Sequence, residues 1–232
     1  MIKLSLILPA YNEGRIIAAS MHAVDRYLQT LGLSYELLIG DDGSTDDTSA
    51  AAAGAGVASA RVVRRPHGGK GSILSACFLE SCGEYAGFLD SDLEIAVEYV
   101  GELVHALDRG YDAAIASKNL GAAEDGRPLR RRVITWGYNS AVRRLFGSRL
   151  SDHQAGAKMF HGAYIRSIMP TVTSTGWLWD TEVLAMLVRD GKRIQEVPVR
   201  TTVRRESHVP GSQSAIQIIR ALHRLRRRMR AT

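Results

Sequence analysis

Three scarcities narrow what this chain can be. Cysteine occurs only as Cys77 and Cys82 in 232 residues. That pair, within one expected helix, suits neither a zinc site nor a disulfide framework, so a reducing, cytoplasmic setting is expected. Long apolar runs are also missing. Nothing approaches the roughly 18 uninterrupted apolar residues of a membrane-spanning helix. The short run at 2–8 carries one lysine and leads straight into Pro9-Ala10-Tyr11-Asn12-Glu13 without a small-residue cleavage site. It reads as a buried strand, not a signal peptide. Finally, no acidic residue follows Glu206.

The chain is 45% hydrophobic and 23% charged, enough to bury a sizeable core. Its net charge of +6 is localised. Setting aside Arg220, Arg224, Arg226, Arg227, Arg228 and Arg230 leaves 24 basic residues against 24 acidic ones. A neutral body with a basic tail argues against a nucleic-acid-binding surface and for a local contact with something anionic.

Strands are expected at 2–8, 35–39, 61–64, 85–89 and 113–116. Helices are expected at 14–31, from Thr45 to about Gly54, and at 70–82 and 96–108. This βαβ rhythm predicts an α/β fold, a mostly parallel central sheet flanked by helices, whose ligands sit at the carboxyl ends of the strands. The second half is less regular. It reads as a loop at 119–130, an amphipathic arginine-rich helix at 131–147, and a loop with a short strand at 151–160. A helix at 177–190, a final strand at 193–200 and a basic amphipathic helix at 213–232 complete it. No linker divides residues 1–212, so they are taken as one catalytic domain.

Four segments at this sheet edge could carry chemistry. Asp90, Asp92 and Glu94 follow an apolar strand at alternate positions, and in extended backbone they share a face. Three like charges repel unless a cation joins them, and hard oxygens suit Mg²⁺ or Mn²⁺; the alternative is a solvated strand end capping the next helix. Asp41-Asp42-Gly43-Ser44-Thr45-Asp46 offers an acid for a ribose or base, a glycine for close approach, and hydroxyls that could simply cap a helix. Tyr11 offers a stacking face, and Glu13 a polar contact or a cap. His67-Gly68-Gly69-Lys70-Gly71 has the composition of a phosphate cradle but not the Walker spacing.

In order, these segments resemble the motifs of family 2 glycosyltransferases. Asp152-His153-Gln154-Ala155-Gly156-Ala157-Lys158, Trp179-Asp180-Thr181-Glu182 and Gln195-Glu196-Val197-Pro198-Val199-Arg200 are similar to the dolichyl- and polyprenyl-phosphate sugar synthase branch. The resemblance implies a GT-A fold, a GDP- or UDP-sugar donor, a polyprenyl-phosphate acceptor, a divalent metal and inversion at the anomeric carbon. A soluble or secondary-metabolite acceptor is the alternative. It further implies that Pro9, Tyr11, Glu13 and Asp42 bind the nucleoside. Lys70, Asp90, Ser91 and Arg204 (or Arg205) would lie at the ribose and diphosphate. Asp92, with Asp90 and Glu94, would hold the metal. Arg131 and Arg132 would meet the acceptor phosphate, with Lys118 and Trp179 on the acceptor side. Lys118 stands where the branch usually has arginine. Asp180 would be a base for a hydroxyl acceptor, or would orient the acceptor.

In the tail, Ile218, Leu222, Leu225 and Met229 share one helical face beside dense arginine. That suits the surface of an anionic membrane, with peripheral attachment; alternatively the stripe packs on the domain.

Overall fold

The computed structural model describes residues 1–120, 129–201 and 215–231. Its centre is a seven-stranded sheet in the order β3-β2-β1-β4-β6-β5-β7. Strands β1 (Leu4–Ala10), β2 (Tyr35–Asp41), β3 (Ala60–Arg64) and β4 (Tyr85–Leu89) pair in parallel, as do β5 (Ala113–Ser117) and β7 (Ile194–Pro198). The near-continuous apolar character of β1 and β4 follows from this: strands covered on both faces bury every side chain.

Helices cover both faces. One core unites β1 and β2 with α1 (Ile17–Thr30), α2 (Thr48–Ala53) and α4 (Tyr99–Asp108). The other unites α3 (Lys70–Glu80), α6 (Gly162–Ile168) and α7 (Trp179–Arg189). The apolar spacing in α1 places Ile17, Met21, Val24 and Leu28 in the first core.

Two features add to the sequence reading and two change it. β6 (Ala157–His161) is antiparallel to both β4 and β5, between which it is inserted. α6 follows it at once, where the irregular sequence gave no periodic signal. Helix α2 starts at Thr48, and Ser44 and Thr45 do not cap it; Asp46 accepts a hydrogen bond from the Thr48 amide at 3.0 Å. Cys82 lies beyond α3, exposed, whereas Cys77 is buried within it.

The tail helix α8 (Ala215–Ala231) packs on the body beside α5 (Leu129–Phe146). Leu222 and Leu225 are fully buried and Met229 packs against the second core. The stripe proposed for a membrane is therefore spent on the domain, because an apolar face within reach of a core gains more by burial there. Among the described residues no helix is long and apolar enough to cross a membrane.

Candidate functional site

β2 and β3 lie on one side of β1, and β4 on the other. A crevice is expected where the strand order turns, outside the carboxyl ends of β1 and β4. The segments after those two strands hold Tyr11 and Asp90.

Asn12 fixes the first wall. Its left-handed backbone (φ 56°) lets its amide donate to Ser44 Oγ at 3.0 Å while its own Oδ1 accepts from the Thr45 amide at 2.8 Å. The loops after β1 and β2 are thus clipped together. Asp42 is turned inward and nearly fully buried. Its two oxygens accept from the amides of Gly68 and Gly69, both at 2.9 Å, and His67 Nδ1 lies 2.9 Å from Oδ2. The residue expected on the nucleoside therefore shapes the glycine-rich loop. Gly43 (φ 72°) makes room for that same loop: a Cβ there would stand 2.5 Å from the His67 amide. Tyr11 keeps an exposed face, with His67 stacked 4.3 Å from its ring centroid. Pro9 is buried in β1.

The second wall follows β4. The backbone does not stay extended after Leu89. The Leu93 amide donates to the Asp90 carbonyl at 3.0 Å, and Leu93 itself is left-handed (φ 51°). The alternate-position argument for Asp90, Asp92 and Glu94 thus fails, because it required a strand. Among the described residues no group of three histidine, cysteine or carboxylate side chains is placed to hold a metal by itself. Instead Lys70 Nζ lies 2.5 Å from Asp90 Oδ1, and Lys118 Nζ donates to Glu94 Oε2 at 2.6 Å. Asp92 Oδ1 accepts from the Glu94 amide at 3.0 Å. Burial pulls the Lys70 ammonium down, but Asp90, Asp180 and Asp92 outweigh it, so its pKa stands above the ordinary lysine value. Ser91 is buried, with its carbonyl accepting from Ser20 Oγ at 2.6 Å.

Beneath these lies a buried ion pair the sequence did not announce. Lys158, on antiparallel β6 and opposite Phe88, is fully buried. It donates to Asp180 Oδ1 at 2.5 Å and to the Ala155 carbonyl at 2.7 Å. Both Lys70 and Lys158 stand over the Phe88 ring, at 4.9 and 5.2 Å. Gly156 is demanded here: a Cβ would fall 2.3 Å from Asp90 Oδ2. Gln154 Nε2 joins Tyr138, Thr181 and the Trp177 carbonyl, each at 3.2 Å.

Trp179 corrects another expectation. It is fully buried, stacked on Phe78, with its indole donating to Ser75 Oγ at 2.8 Å, so it belongs to the core and not to an acceptor surface. His153 is equally buried, bridging Asn139 Oδ1 at 2.6 Å and Ser148 Oγ at 2.9 Å. Arg204 and the side chains of Arg131 and Arg132 lie outside the described residues.

Comparison with known proteins bears on this arrangement. The profile of glycosyl transferase family 2 matches residues 5–168. Glycosyltransferase AglD of Haloferax volcanii is 32% identical over 205 residues, which is 85% of this chain but 33% of that protein. The chain thus spans about a third of AglD. The dolichyl-phosphate beta-glucosyltransferase of Saccharomyces cerevisiae is 28% identical over 239 residues, 93% of this chain and 70% of that one. Among solved structures, mannosyl-3-phosphoglycerate synthase of Rubrobacter xylanophilus superposes with a TM-score of 0.75 at 18% identity, covering 100% of this chain and 76% of that one. The fold is GT-A, as the motif order implied.

Proposed function

The chain belongs to glycosyl transferase family 2, and from that premise we propose that it moves a hexose from a GDP- or UDP-sugar to a polyprenyl phosphate, with inversion at the anomeric carbon. The yeast relative's name, a dolichyl-phosphate glucosyltransferase, supports the acceptor class. The observation that carries the acceptor assignment is the state of Asp180. A hydroxyl acceptor needs a base to take its proton. The carboxylate best placed for that is tied at 2.5 Å to a fully buried lysine. A phosphate monoester is already anionic at neutral pH and needs no such base.

Tyr11 would stack the base of the donor, with Pro9 and Glu13 framing the nucleoside and Asp42 acting through the loop it holds. Lys70, which remains an ammonium, would lie along the diphosphate with Asp90, Ser91 and Arg204. Arg131 and Arg132 would receive the acceptor phosphate, with Lys118 nearby.

Asp90 and Asp92 are the residues that would hold Mg²⁺ or Mn²⁺. Their chemistry fits one: both are carboxylates on the turn after β4, and Asp90 already holds one cation there, the Lys70 ammonium 2.5 Å from its Oδ1. Two carboxylates completed by substrate phosphates form the usual magnesium site. Glu94, the third acid of the segment, is paired with Lys118 and would join them only if that pair opened. When bound, the cation supplies neutralisation of charge on the departing diphosphate.

The membrane contact would use other residues than the tail stripe. Val133, Ile134 and Trp136 are exposed on α5, which packs beside α8 with its exposed Ile219 and its arginines. Tryptophan and arginine around an apolar patch suit an anionic bilayer surface.

The test incubates the chain with a panel of GDP- and UDP-sugars and Mn²⁺, with and without undecaprenyl phosphate. Nucleoside diphosphate release that depends on the lipid is expected. Release that ignores the lipid for every donor would overturn the reading.

A further inference from the structure

A cavity of about 360 Å³ lies between α8 and the loop at 173–178. Its charged lining is of one sign: Arg224 and Arg228 project into it from successive turns of α8, and no acidic side chain lines it among the described residues. Residues four apart on a helix share a face, so the two guanidinium groups can act on one ligand. Opposite them stand Ser174, Thr175, Gly176 and Trp177.

That opposing loop is held from behind. Glu182 accepts from the Ser174 amide at 2.7 Å and from the Thr173 amide and hydroxyl at 3.2 and 3.0 Å. The Thr175 carbonyl accepts from the Ser72 amide at 3.0 Å. The Ser174 hydroxyl oxygen is buried and has no hydrogen-bond partner. Buried polar atoms are almost always paired, so an orphan on the loop that lines the cavity leaves a place for a ligand oxygen.

We infer that this cavity is a binding site for a phosphate ester. Guanidinium groups match phosphate oxygens bidentately, and a hydroxyl completes the set. The volume exceeds what a bare phosphate fills, a water taking only about 30 Å³ of liquid, so the ligand carries further atoms on its phosphate. A phospholipid head group and a soluble phosphorylated metabolite share this chemistry. The site goes beyond the proposed transfer reaction and does not depend on which acceptor reacts. It stands one loop's thickness from Gly69 and Lys70, since a Cβ on Gly69 would meet the Thr175 carbonyl oxygen at 2.7 Å.

The test titrates the full chain with sn-glycerol 3-phosphate by calorimetry, and with phosphatidylglycerol and phosphatidylcholine vesicles by sedimentation. In R224Q/R228Q, binding should weaken by about tenfold, the scale of one lost bidentate contact. In R26Q/R109Q, which removes equal charge at exposed positions away from α8, it should stay within about twofold. S174A, which leaves charge untouched, should weaken it by about threefold. Tight glycerol phosphate binding identifies a soluble ester; binding confined to phosphatidylglycerol vesicles identifies a lipid head group. The inference is overturned if no phosphate probe binds, or if both double variants lose affinity equally. Far-UV circular dichroism of each variant confirms that the fold is kept, and S174A decides the matter should a double variant unfold.

Discussion

Lys158 has no solvent exposure, and the Asp180 carboxylate stands 2.5 Å from its Nζ. Removing one partner of a buried pair leaves the other charge uncompensated, which costs about 3–5 kcal/mol. Asp180→Ala should therefore lower the urea midpoint sharply, whereas Asp180→Asn, which still accepts from the ammonium, should lower it less. His153 makes a second prediction. Burial first, then Lys158 and Arg143, lower its pKa from 6.5 to about 3. The unfolded chain thus takes up a proton before the folded one does. The stability this group contributes is complete above pH 6.5 and is lost as pH falls from 6.5 towards 3, at about 1.4 kcal/mol per pH unit. Unfolding free energies measured across that window should fall more steeply for wild type than for His153→Gln. Neither role could be read from the sequence. Lys158 closes a recognisable motif, but its partner is 22 positions away. Only the antiparallel placement of β6 brings them together.

Elements with a clear period were legible. The apolar runs of β1, β2 and β4, and the helical spacing of α1, α4 and α7, read directly from burial on one face or two. β6 and α6 were not fully legible, because a five-residue strand followed directly by a seven-residue helix is too short for either period to show. Gly156, at the entrance to β6, is where that element touches the site. Gly156→Ala should displace the Asp90 carboxylate and cut turnover by about tenfold or more, while the thermal midpoint moves little; steady-state rates and a melt on one sample distinguish the two. The tail helix was legible as an amphipathic helix, but not in where its apolar face goes, since burial on a domain and burial in a membrane write the same pattern. Leu225→Ala should cost about 2–5 kcal/mol in chemical denaturation, as for any fully buried leucine. A helix lying free of the domain would show almost no loss.

At the scale of the molecule, the sheet does the assembling. Motifs as distant as Tyr11, Asp42, Lys70 and Asp90 meet because the four strands preceding them are parallel neighbours that end at one edge. That convergence was readable from the βαβ rhythm. The charge pairing inside it was not, since Lys70 with Asp90 and Lys118 with Glu94 depend on a turn after Leu89 that the alternating acids concealed. An acceptor that arrives already charged needs no carboxylate to take its proton. The most direct test of this is the turnover number for transfer to a polyprenyl phosphate, compared between wild type and Asp180→Asn below both melting midpoints. Values within about threefold of each other are expected. A fall of about 10²-fold or more, the size of a lost general base, would contradict it.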